Sequence, residues 1–167
     1  MKRVINALVF SILFILLTGN IAYAKSSSEN VKSNFTTQIK QKQQVIKQKL
    51  KNNAKLQAQV NKKSKQISDL YSSIFEGNMT PPKQIITEVE KREAKISKDI
   101  QILIQIEKSI AKLNTEIKTY INQKNYTSAL EDYEKIIELL DKKSETLQKH
   151  DSDLSNYLQY IKSLQYK

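Results

Sequence analysis

One histidine, His150, stands beside Asp151 and Asp153 in a chain that has no cysteine. Two readings of this trio are open: a weak metal site between an imidazole and two carboxylates, or a polar helix end at the surface. The run His150-Asp151-Ser152-Asp153 favours the second, because Asp and Ser side chains accept bonds from the free amides of a first helical turn. Without cysteine, the ordinary structural zinc sets and Cys-His nucleophilic pairs cannot be assembled within one chain. Glu88, Glu90 and Glu93 lie close in sequence, but basic residues intervene and nothing marks the paired carboxylates of a glycosidase. There is no glycine-rich phosphate loop. The expectation is a non-enzymatic protein with no cofactor, no catalytic residue and no metal.

Lysine carries the stronger pattern. Between Glu29 and Asp69 there is no acidic residue, yet the segment holds a succession of lysines whose side chains include Lys40, Lys47, Lys51, Lys55, Lys62 and Lys65. The chain as a whole has a formal net charge of +11, and the excess sits on this first stretch. Neighbouring like charges oppose helix formation, so local stability does not explain the run. These six lysines are the candidate anion-binding residues, for an envelope polymer such as a teichoic-acid-like chain, a lipid headgroup surface, lipopolysaccharide, or released nucleic acid. The competing reading is a solvated lysine-rich helix. Beyond the first few residues Arg92 is the only arginine, so the bidentate base contacts of sequence-specific nucleic-acid recognition are largely missing.

These side chains need elements to hold them, and the apolar spacing predicts helices throughout. From Val31 to Phe75, apolar residues recur at intervals of three and four through Phe35, Ile39, Ile46, Leu56, Val60, Ile67, Leu70 and Ile74. Lys42, Lys49, Asn53 and Lys63 fall on the same stripe, which makes it a heptad pattern with polar interruptions. Glu76-Gly77-Asn78-Met79-Thr80-Pro81-Pro82 is a stop and restart, with a glycine to end one helix and prolines suited to the first turn of the next. A second stripe runs from Ile85 to Tyr120, interrupted by Arg92 and Asp99. Folding back about residues 76–82 sets Ile67 near Val89, Val60 near Ile96, Lys63 near Glu93 and Lys49 near Glu107. The expected fold class is therefore all-α, a long antiparallel coiled-coil-like hairpin over residues 25–121.

Asn122-Gln123-Lys124-Asn125 marks a second turn, after which residues 122–167 form a C-terminal helical segment. Its main row is Tyr126, Leu130, Tyr133, Ile137, Leu140, Leu147, Leu154, Leu158 and Ile161, with a break or a continuous helix both open near His150. Ile136, Leu139, Tyr157, Tyr160 and Leu164 widen this face beyond a two-helix seam. Contact with the hairpin, or with another subunit in a homo-oligomer, accounts for the width. Tyr157, Tyr160 and Leu164 are the candidate protein-interface residues, since tyrosine buries a ring while keeping its hydroxyl wet. The piece from Lys124 to Leu139 resembles the junction and second helix of a tetratricopeptide repeat. Tyr126, Ala129 and Tyr133 stand at family-like spacings and Ile136 replaces the usual small residue. That resemblance implies a helical hairpin packed by small and aromatic residues; no second copy is present.

Residues 1–24 read as a cleavable secretory signal. Lys2 and Arg3 precede an uncharged run from Val4 to Thr18, and Ala22-Tyr23-Ala24 offers small residues at the two positions a signal peptidase checks. The run is shorter than the roughly 20 residues of a comfortable membrane span, so no permanent span is expected after cleavage. The localisation expected is secreted or extracytoplasmic: periplasm, wall space or medium. Taken together, the sequence predicts an exported helical interaction or scaffold protein of the bacterial envelope or medium, with an anionic polymer or a protein as partner. In charge and length it is also similar to the Skp-like periplasmic holdase chaperones, although strand-forming segments are missing, and to helical regulatory partners of wall hydrolases.

Overall fold

A computed structural model describes residues 31–75 and 81–164 of the chain. They form three helices: α1 (Val31–Ile74), α2 (Lys83–Asn122) and α3 (Tyr126–Leu164). The protein is an all-α three-helix bundle, with no strand among the described residues. The signal segment and Gly77 lie outside the described residues.

The helix ends follow local chemistry. Pro82 precedes α2 with φ −51° and ψ 143°, and its carbonyl accepts bonds from the amides of Ile85 and Ile86 at 2.9 and 3.2 Å. Between α2 and α3 only Gln123, Lys124 and Asn125 intervene. Lys124 takes φ 60°, its amide donates to the Ile121 carbonyl, and the Asn125 amide donates to the Tyr120 carbonyl at 2.8 Å. Those two bonds make the paired closure of a Schellman motif, here with lysine where glycine or asparagine is usual. The Asn125 side-chain oxygen then accepts the Ser128 amide at 3.3 Å and starts α3. No break occurs at His150: α3 runs through it to Leu164.

Two apolar clusters fill the bundle. Ile39, Ile46, Ile106, Ile110, Ile117, Tyr133, Ile136 and Leu140 make one. Val60, Ile67, Tyr71, Val89, Ile96, Ile100, Leu103, Leu147, Leu154, Tyr157 and Ile161 make the other. Each fully buried Ile or Leu contributes roughly 1.5 to 3 kcal/mol, so these rows dominate the stability. The seven-residue spacings of the sequence stripes are thus recovered as core positions on all three helices. Ala129, Tyr133 and Ile136, from the repeat-like segment, are all buried.

The arrangement of the helices corrects the expected pairing. Among the described residues no Cα of α1 lies within 8 Å of one in α2, whereas α3 approaches both that closely. Lys63 does not meet Glu93; it bonds Asp151 Oδ2 at 2.6 Å and Ser155 Oγ at 2.8 Å. Lys49 does not meet Glu107; it pairs with Asp141, while Glu107 pairs with Lys143. The reason lies in α3, which carries acids at heights matching the stripe lysines of α1 and presents two buried rows instead of one. Its first row, with Tyr133, Leu140, Leu147 and Leu154, serves α1. Its second, Ile136, Lys143, His150 and Tyr157, serves α2.

Partners between α1 and α3 are separated by 87 to 92 residues all along the interface, from Lys42–Glu134 through Asn53 Nδ2 to the Leu140 carbonyl, to Lys63–Ser155. A constant offset means that α1 and α3 run parallel. Stacking of Phe35 on Tyr126, ring centroids 5.8 Å apart, fixes the same register at the first turns. Partners between α2 and α3 (Glu107–Lys143, Asp99–Lys149, Glu93–Tyr157) converge in number toward the α2–α3 turn, the mark of an antiparallel pair.

Candidate functional site

The six candidate lysines share one side of α1. Lys40, Lys47, Lys51, Lys55, Lys62 and Lys65 are all exposed. At about 100° per residue they fall within a sector of roughly 80°, and from Lys40 to Lys65 the row extends about 38 Å. Lys65 pairs with Asp69 at 2.7 Å one turn on. The other five have no acidic partner among the described residues. By contrast Lys42, Lys49 and Lys63, on the buried-facing side, are each engaged by an acid of α3. The fold therefore sorts the lysines of α1 into a set used for packing and a set left to solvent.

Tyr157 is 2% exposed and belongs to the core, with its hydroxyl 3.5 Å from Glu93 Oε1. Burial raises the Glu93 carboxyl above its usual range and pushes the Tyr157 phenol up. Tyr160 is half-buried beneath Arg92, whose guanidinium carbon lies 4.5 Å from the ring centroid. Leu164 is half-buried against the same cluster. Of the three interface candidates, then, Tyr160 and Leu164 reach the surface.

His150 is not at a surface helix end. It is 1% exposed, and its Nδ1 lies 3.8 Å from Oδ2 of Asp99, also 1% exposed, beyond hydrogen-bonding reach. Neither atom has another partner. The second oxygen of Asp99 accepts from Lys149 at 2.5 Å, and that bond raises the Lys149 ammonium. Burial is the main influence on the imidazole and lowers it, against the opposing pull of Asp99. One heptad earlier the buried Lys143 takes Glu107. Sequence reasoning missed this polar seam because it treated Asp99 as an isolated interruption of α2. The available signal was the seven-residue row Ile136, Lys143, His150, Tyr157 and Leu164, with ionisable residues at two consecutive steps.

The metal alternative for His150, Asp151 and Asp153 finds no arrangement to support it: no group of three or more His, Asp or Glu side chains among the described residues is placed to hold an ion. Asp151 faces α1 and Lys63, whereas His150 faces α2. A shallow depression of about 350 Å³ beside the polar seam is lined by Arg92, Lys95, Asp153 and Asn156. Its lining is mixed in charge: Asp153 is already 3.5 Å from Lys149 and Arg92 is 3.7 Å from Glu88. Among the described residues no helix is long and apolar enough to cross a membrane. No protein-family model, no curated protein and no solved structure matches this chain.

Proposed function

We propose that this is an exported, non-enzymatic helical scaffold or interaction protein of the bacterial envelope or its surroundings, which associates with anionic polymers through the outer face of α1. One observation carries the reading: Lys40, Lys47, Lys51, Lys55 and Lys62 point away from the bundle with no acidic partner among the described residues, although acids were available on α3 to pair the lysines beside them. A row of ammonium groups without guanidinium forks favours diffuse phosphate or carboxylate contact over recognition of a particular base or sugar. Attraction of this kind weakens with salt because exposed charges are screened within about 8 to 10 Å at 0.1 to 0.15 M.

The test is retention on a purified wall polymer of glycerol phosphate units. Binding is expected to be strong at about 0.05 M NaCl and lost by about 0.5 M. Replacing the five lysines by Gln should flatten the plot of log affinity against log salt by roughly 0.7 per lysine. Retention that ignores salt, or a quintuple variant that binds like the parent, refutes the proposal.

A further inference from the structure

The outer side of α3 carries the complement of the α1 row. Glu131, Glu138 and Glu145 stand seven residues apart, all exposed, and none takes part in an ion pair among the described residues. Their neighbours Glu134 and Asp141 are already spent on Lys42 and Lys49 of the same molecule. The offset of 87 to 92 residues between the parallel helices α1 and α3 fixes the relative height of the two rows. It sets Glu131 level with Lys40, Glu138 with Lys47 and Glu145 with Lys55. Three unpaired carboxylates and three unpaired ammonium groups therefore stand at matching heights on different helices of one rod, each row about 21 Å long.

We infer that a second copy of this chain docks here: α3 of one molecule lies along α1 of the next, both rods pointing the same way. The contact is heterologous, since the two surfaces differ, so each copy keeps one free face of each kind and further copies add side by side, as a ring where the rotation between neighbours closes and as an open row where it does not. The glutamates repeat every seven residues and the lysines at intervals of seven and eight, so each set stays on one side of its rod, the lysines within a sector of roughly 80°, and all three pairs can form together. The pairs are exposed, so the association is weak, salt-sensitive and concentration-dependent. This inference does not rest on the polymer reading. The two share Lys40, Lys47 and Lys55, and excess polyanion should separate the copies.

Sedimentation equilibrium of the full chain tests it. At about 20 mM NaCl the weight-average mass should climb with protein concentration, and above about 0.3 M it should return to the monomer value. Glu131→Lys/Glu138→Lys/Glu145→Lys alters only exposed positions, and circular dichroism checks that it stays helical. That variant should remain monomeric at low salt while keeping its retention on glycerol phosphate polymer, which separates this inference from the previous one. Lys40→Glu/Lys47→Glu/Lys55→Glu should likewise stay monomeric alone. Placing both sets of reversals in one chain should restore the concentration-dependent mass. A parent that stays monomeric at low salt, a triple glutamate variant that associates like the parent, or a doubly reversed chain that fails to associate would each overturn the inference.

Discussion

Removing the carboxylate of Glu107 should cost far more than removing its lysine partner. The Lys143 side chain is only 10% exposed and occupies a buried row between Ile136 and His150, while Glu107 is 22% exposed at the edge of the seam. Glu107→Ala leaves an ammonium among apolar side chains with nothing to balance it. Breaking a buried pair in this way costs about 3 to 5 kcal/mol; water access through Glu107 reduces the expectation to about 2 to 3 kcal/mol. Lys143→Leu continues the row with an apolar side chain and leaves a carboxylate that water can reach, so its cost should be about 0 to 1 kcal/mol. The double variant should match the parent or exceed it, because apolar replacement of both partners removes two desolvation penalties at once.

Urea unfolding followed by helical circular dichroism reads all four proteins. With a slope near 2 kcal/mol per molar, Glu107→Ala should lower the midpoint by about 1 to 1.5 M, and Lys143→Leu by less than about 0.5 M. Equal losses in the two single variants, with a double variant that loses as much as either one alone, would show that the seam gains stability from the ion pair itself and would refute the argument.

Burial holds the His150 imidazole below its ordinary range, so the folded state resists the proton that the unfolded chain accepts near pH 6.5. Stability should be full above about pH 6.5 and fall as pH drops toward the folded value; thermal melts of His150→Leu should lose that slope. Glu93 acts with the opposite sign, because its raised folded value makes protonation easier in the bundle than in the unfolded chain; Glu93→Gln should gain stability at neutral pH relative to pH 4. Tyr157→Ala should cost about 3 to 5 kcal/mol by opening a core cavity, measured by urea unfolding, whereas Tyr160→Ala should cost much less; equal losses would contradict the placement of Tyr157 in the core.

Much of the fold was legible because residue spacing alone reports helical periodicity. Ile46, Val60, Ile67, Ile96, Leu103, Ile110, Leu140 and Leu154 all became core residues from stripes read at intervals of three, four and seven. What spacing does not report is which stripe meets which. Two rows of isoleucine look complementary whether they touch directly or share a third helix, and the charges of Lys49 and Lys63 can be satisfied by acids on either neighbour. The extra width of α3 was the sign that it sits against both. Exposure of the six lysines could be read for the same reason that their ligand could not: a row of ammonium groups specifies charge and reach, not chemistry. His150 was misplaced because its local sequence resembles a cap, and a cap signal has no means of registering Asp99 on another helix.

Parallel α1 and α3, joined through an antiparallel α2, make this bundle a spacer with separated ends. Three passes of about 40 residues bring the chain in at one extremity and out at the other, roughly 60 Å away. A two-pass or four-pass bundle would return both attachment points to the same tip. Whatever joins the chain before Val31 is held at a set distance from whatever joins it after Leu164, and only a change in helix length, not in surface charge, would alter that distance.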